Sequence, residues 1–190
     1  MNIEFITSNP SKVKLAQERF DRYNITAIQR SLDLYEIQSL NVEEVALNKA
    51  KQALVILENE FIIEDSGFEI EALNNFPGAL LKPIVESIGA DKITLLLKEE
   101  LNRNVLVKSV LVYGNPKTGE VKIFTGLYKG SIAIEARGEK TRGWKVSPIF
   151  IPDGFDHTLA EMEDIEWDKF LNSFRSNDHY EHFGQYFSSR

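Results

Sequence analysis

The feature that most constrains the fold is a strand-turn-helix unit at the very start of the chain. Ile3 to Ile6 forms a short apolar run that ends at Thr7-Ser8-Asn9-Pro10. Ser8 or Asn9 can cap a following helix, and Pro10 suits its first turn, where a backbone N–H would have no partner in any case. Val13, Ala16 and Phe20 then mark one apolar helix face as far as about Tyr23. A second unit follows the same logic. Asn41 with Glu44 resembles a capping box, and Val42, Ala46, Ala50, Ala53 and Leu57 recur at helical spacing. Phe61-Ile62-Ile63 reads as a buried strand closed by Asp65-Ser66-Gly67. Asn75-Phe76-Pro77-Gly78 reads as a turn, followed by helical segments over Ile84–Ile88 and Ile93–Leu101 that break at Gly89.

The middle of the chain is β-branched. Strands are expected over Val105 to Tyr113, Val121 to Tyr128 and Ser131 to Arg137, with a strong turn at Asn115-Pro116-Lys117-Thr118-Gly119. A polar loop, Gly138 to Ser147, leads into a last strand at Ile149-Phe150-Ile151, and the chain from Thr158 onward reads as helix. This order predicts an α/β protein with a mixed sheet and helices on its faces. No internal repeat or linker interrupts it, so residues 1–190 are expected to form a single domain.

Charge and composition narrow the chemistry. The 190 residues include 22 Lys plus Arg against 29 Asp plus Glu, a net charge of −7. Such a chain has no overall attraction for nucleic acid or anionic membranes, although a few lysines can still hold a small anion. The absence of cysteine excludes disulfides, thiol nucleophiles and Cys-ligated metal, and three histidines make a multi-His site improbable. No window approaches 18 apolar residues and Glu4 stands where a signal peptide needs positive charge, so a cytoplasmic protein is expected.

Four places can carry chemistry. Thr7 to Lys12 offers free amides and a lysine at a helix N-terminus, suited to an anion, although an ordinary capped helix fits as well. Glu64-Asp65-Ser66-Gly67 puts carboxylates at the end of a buried strand. Only one of the two adjacent acids is expected to face a site. Asp65 suits a hard metal or proton transfer, and a plain turn is the simpler local reading. Lys12, Lys49, Lys51 and Lys82 matter if they converge, and Lys49 lies near the apolar boundary of its helix. Trp144, next to Gly143, can stack on a planar ligand or anchor its loop in the core. His179 and His182 read as a surface pair.

The order of these signals is more specific than any one of them. Thr-x-Asn-x-x-Lys, Asn48-Lys49-Ala50, Glu64-Asp65-Ser66-Gly67, Phe76-Pro77-Gly78, Arg137-Gly138, Gly143-Trp144, Pro148-Ile149-Phe150-x-Pro152-x-Gly154 and Thr158-x-Ala160-Glu161-Met162 occur in succession. Together they resemble the inosine triphosphate pyrophosphatase family, from about Asn2 to Arg175. The resemblance implies a long curved mixed sheet forming two lobes around a central groove, usually in a homodimer. It implies hydrolysis of non-standard purine nucleoside triphosphates to monophosphate and pyrophosphate with Mg²⁺. Thr7, Ser8, Asn9 and Lys12 would bind the phosphate tail, with Lys49 as a second cation and catalytic partner of Asp65. Glu36 and Asp65 would hold the metal, Ser66 would contact substrate, and Lys82 would be a further groove lysine. Trp144 would stack on the base, with Lys169, Ser173 and Arg175 at its edge.

Two departures fall on the base side. The family reads Gly-aromatic-Asp-Pro, whereas here Lys145-Val146-Ser147 separates Trp144 from Pro148. It closes on Lys-Asn-x-x-Ser-His-Arg, whereas here Phe170 and Phe174 replace Asn and His. Hydrogen bonds to charged groups contribute roughly 1.5–3 kcal/mol each, so their loss is expected to alter base selectivity. Two alternatives to the pyrophosphatase follow. One is a phosphatase releasing orthophosphate, and the other a nucleotide- or partner-binding protein without turnover. An RNA-binding module fits the charge poorly.

Overall fold

The computed structural model describes residues 1–190. The strands are β1 (Asn2–Ile6), β2 (Thr26–Arg30), β3 (Phe61–Ile70), β4 (Phe76–Gly78), β5 (Asn104–Asn115), β6 (Glu120–Ile132) and β7 (Phe150–Pro152). The helices are α1 (Pro10–Phe20), α2 (Val42–Ile56), α3 (Leu81–Ile88), α4 (Asp91–Leu96), α5 (Asp164–Ser173) and α6 (His179–Ser188). The seven strands make one mixed sheet in the order β2-β1-β3-β5-β6-β7, with β4 paired to β3. β1 runs parallel to β2 and β3, whereas β4 pairs antiparallel with β3 and β7 with β6. No helix is long and apolar enough to cross a membrane.

Several expectations from the sequence change here. β2 was not foreseen: only Ala27 and Ile28 are apolar in it, and as an exposed edge strand it needs no more. Asp65-Ser66-Gly67 does not close β3, which continues to Ile70 because Ile70 to Phe68 pair with β4. Phe76-Pro77-Gly78 is therefore strand, and the reversal falls earlier, on the left-handed Asn74 and Asn75. The strands expected at Val121–Tyr128 and Ser131–Arg137 are one continuous β6 ending at Ile132. The C-terminal helix begins at Asp164, under a Glu163/Glu166 capping box, and not at Thr158. A tight turn at Arg175–Asn177 divides it, and Asp178 caps the second half.

The chain forms two compact units. The first comprises residues 1–66, 109–126 and 176–190. Its core is aromatic: Phe20 stands edge-on to Tyr180 at 5.8 Å and tilted to Phe183 at 5.4 Å. Two glycines make room for further rings of this unit. A Cβ on Gly114 would meet the Phe61 ring at 2.4 Å, and one on Gly184 would meet Tyr23 at 2.4 Å.

The second unit comprises residues 67–108 and 127–175. Phe68 packs edge-on against Phe150 at 5.3 Å. Arg103 ties its loops together by donating to the carbonyls of Leu97, Ile132 and Ala133 at 2.6 to 2.7 Å. One planar donor thus joins the end of β6 to the segment that follows α4.

Candidate active site

The first unit gathers most of the chemistry. α1 begins as its sequence dictates: Asn9 accepts from Ser11 N at 2.9 Å, and Pro10 takes the first turn. Thr7 Oγ1 accepts from Asn9 N at 3.1 Å, which fixes the turn, and Ser8 is exposed at its tip. From the first turn of α1, Lys12 reaches β3. Its ammonium donates to the Glu64 carbonyl at 2.9 Å and pairs with Glu64 Oε2 at 2.7 Å.

Glu64 is the group that sequence reasoning set aside. Alternation along a strand suggested one working acid of the two, yet both Glu64 and Asp65 engage lysines. The Glu64 side chain is only 2% exposed, and Ser66 Oγ donates to its other oxygen. Ser66 Oγ is in turn 2.9 Å from the buried Ser109 Oγ. Burial pushes the Glu64 carboxyl up, but Lys12, the nearby His179 and the two hydrogen bonds outweigh it and leave Glu64 below its ordinary range. Burial likewise works against the Lys12 charge, and Glu64, Asp65 and Glu36 outweigh it, so Lys12 stays firmly protonated.

His179 was expected on the surface and is buried instead, on the first turn of α6. Burial lowers its pKa despite the pull of Glu64 and Asp178. The signal that could have placed it is Asp178, an N-cap residue that starts a new apolar helix face. His182 is half-buried, with Nε2 2.9 Å from the Ser176 carbonyl.

Asp65 has a different environment. Lys49 from α2 donates to its Oδ1 at 3.1 Å and lies 3.0 Å from Oδ2. The same ammonium is paired with Glu36. Burial raises the Asp65 carboxyl above its ordinary value; Lys12 and Lys49 pull it down, and Glu64 adds to the rise. A carboxyl raised in this way takes a proton more readily than a free aspartate, as a general base requires. α2 is capped by Asn41, which accepts from Glu43 N at 2.9 Å, but Glu44 accepts from Ser39 Oγ, so the expected capping box is replaced by this contact. Lys51 is exposed on α2.

The remaining candidates lie in the second unit. Trp144 is half-buried, stacked on Phe150 with centroids 6.4 Å apart and 6.5 Å from Tyr128. Phe174 packs edge-on against Tyr128 at 4.2 Å and against Phe170 at 4.9 Å. Where the family motif has an acid, the fully buried Ser147 donates its hydroxyl to the Thr141 and Trp144 carbonyls, closing the loop on itself. Ser173 Oγ donates to the Phe170 carbonyl at 2.7 Å, as helix C-terminal hydroxyls do. Lys82 and Lys169 are exposed on α3 and α5, and Arg175 is half-buried in the turn after α5.

The chain and its fold match known proteins. The chain is 41% identical over 162 residues to the dITP/XTP pyrophosphatase of Thermococcus kodakarensis, covering 85% of each chain. It is 35% identical over 155 residues to the inosine triphosphate pyrophosphatase of Scheffersomyces stipitis, covering 82% of this chain and 78% of that one. The fold matches that of a HAM1 protein from Coxiella burnetii with a TM-score of 0.81 and 24% identity over the whole of both chains. The Ham1 family model spans residues 3–177, from the first strand through the turn after α5, and the chain belongs to the Ham1 family.

Proposed function

We propose that this protein is a divalent-cation-dependent pyrophosphohydrolase of non-standard purine nucleoside triphosphates. The observation that carries this reading is the convergence of Lys12, Lys49, Glu36, Glu64 and Asp65 next to the N-terminus of α1. The activities for which the relatives are named, dITP/XTP and inosine triphosphate pyrophosphatase, support it.

A triphosphate brings about four negative charges, which need fixed donors and cations. The Lys12 ammonium supplies one such cation, at the positive end of the α1 dipole. Of the three Lys12 N–H bonds, Glu64 takes two through its carbonyl and carboxylate, leaving one for a phosphate oxygen. Glu64 thus aims Lys12 and keeps it charged. Asp65 accepts the proton of the attacking water.

Glu36 and Asp65 would hold the cation. They already converge on one positive charge, the Lys49 ammonium, so both reach a common point. No three His, Asp or Glu residues are placed to hold one metal ion together. Two carboxylates completed by substrate phosphates is the arrangement expected for Mg²⁺, which keeps few protein ligands. When bound, the cation neutralises phosphate charge and polarises the bond that breaks.

On the base-recognition side Ser147 is spent on its own loop, and Phe170 and Phe174 stand where the family has Asn and His, which leaves stacking as the means of reading a base. Stacking tolerates any base, whereas sites built on side-chain hydrogen bonds discriminate by 10⁴ or more. A panel of inosine, xanthosine, guanosine and adenosine triphosphates, with Mg²⁺ and pyrophosphate detection, tests both parts. We expect turnover of the inosine and xanthosine nucleotides, with kcat/KM for the others within about 100-fold. Absence of turnover with every nucleotide rejects the function, and discrimination near 10⁴ rejects the account of base reading.

A further inference from the structure

The Lys49 ammonium lies between the two carboxylates assigned to a divalent cation. Both Asp65 oxygens are within 3.1 Å of its Nζ, and Glu36 pairs with the same ammonium. The arrangement is built, and not a chance approach of mobile groups. Lys49 and Asp65 are 16% and 18% exposed, and α2 is seated by buried Ala46, Ala50 and Ala53. Glu36 belongs to a segment without regular structure, yet Gln52 of α2 grips the residue beside it. Gln52 Nε2 donates to the Tyr35 carbonyl at 2.7 Å, and Tyr35 N donates to Gln52 Oε1 at 2.9 Å. One helical turn therefore presents both the ammonium and the clamp that brings Glu36 to it.

We infer that Lys49 is an internal counter-ion, occupying the divalent-cation position between Glu36 and Asp65 in the free protein and leaving it when metal and triphosphate enter. This rests on the reading of Glu36 and Asp65 as metal ligands. Two like charges cannot share one pair of carboxylates in a partly dry site without strong repulsion. The flexible lysine stem lets the ammonium swing, and the triphosphate oxygens give it a new partner. The free protein then binds a divalent cation weakly, and triphosphate and metal strengthen each other's binding, as linkage requires. Lys49 also keeps the carboxylates neutralised and ordered until substrate arrives.

Mn²⁺ alone, titrated into the protein with free Mn²⁺ followed by electron paramagnetic resonance, tests this without reference to activity. Lys49→Met is expected to bind Mn²⁺ about tenfold more tightly than the unaltered protein, and Lys49→Arg, which keeps the charge, to bind no more tightly. Equal or weaker binding by Lys49→Met overturns the inference. Binding of Mn²⁺ by none of the three proteins overturns the metal reading beneath it. A second measurement needs no variant: Lys49 in the unaltered protein should be reductively methylated several times faster in saturating Mg²⁺, with the exposed Lys51 as the internal reference. A Lys49 rate unmoved by Mg²⁺ overturns the inference as well.

Discussion

Replacing Asp65 by Asn is expected to lower kcat about a thousandfold, within the range that positioned proton-transfer groups contribute. The same substitution should leave the fold as stable as before, or more so, at neutral pH. Asp65 has a pKa raised above its ordinary 3.8, first by burial and further by Glu64, with Lys12 and Lys49 opposing. The folded state therefore holds the Asp65 proton more tightly than the unfolded chain does. Ionising Asp65 subtracts stability as pH rises from about 3.8 through the folded value, and that loss is complete above it. Asn cannot ionise, so its advantage is largest near pH 7 and disappears below pH 3.8. Thermal melts of both proteins at pH 7 and pH 3.5, beside steady-state rates, separate the two effects. Unchanged kcat would remove Asp65 from the chemistry. Lost kcat with a lowered melting temperature at pH 7 would assign it a structural role.

The largest effect on stability is expected from Asp178→Ala. Asp178 Oδ2 accepts from Arg19 Nε at 2.8 Å, with the two side chains 1% and 3% exposed. Its other oxygen caps α6, accepting from Tyr180 N at 2.8 Å. Removing one member of a buried ion pair typically destabilises by about 3–5 kcal/mol, because the surviving charge keeps its desolvation penalty. That is a large part of the roughly 5–15 kcal/mol that holds a domain folded. In a chain of this length it should lower the melting temperature by roughly 10 °C. The double variant Arg19→Met/Asp178→Ala should recover most of the loss, apart from about 1 kcal/mol for the missing cap. Denaturant titration of the three proteins gives the answer. A loss below about 1 kcal/mol in Asp178→Ala would show that the pair carries little of the stability.

Asp178 also illustrates what the sequence conceals. The helix caps at Asn9 and Asn41 are legible because each directly precedes an apolar helical period, and a cap acts on its own next residues. β1 and α1 follow for the same local reason. The course of β3 past Asp65 is not local: it depends on β4 pairing with Ile70, Glu69 and Phe68, and the intervening turn rests on Asn74 and Asn75 at positive φ. β2 carries almost no apolar signal because an edge strand needs only a parallel neighbour, here β1.

The site divides along the same line. Lys12, Lys49 and Asp65 could be picked out by residue type and order, and the fold gathers them. The part played by Glu64 could not. Its worth comes from Lys12 reaching across from α1, and from Ser66 and Ser109, which are 43 positions apart. The burial of His179 depends equally on how α6 packs. The acid missing before Pro148 was visible in the string, but the use of Ser147 to close its own loop was not.

Phosphorus-31 magnetic resonance of the products formed from inosine triphosphate and Mg²⁺ tests the central claim most directly. The convergence of Lys12, Lys49 and Asp65 beside the α1 N-terminus is read as a site that cleaves between the α- and β-phosphates. The account predicts signals of inosine monophosphate and pyrophosphate in equal amounts, growing together and abolished in Asp65→Asn. Orthophosphate with inosine diphosphate, or an unchanged triphosphate spectrum, would contradict it.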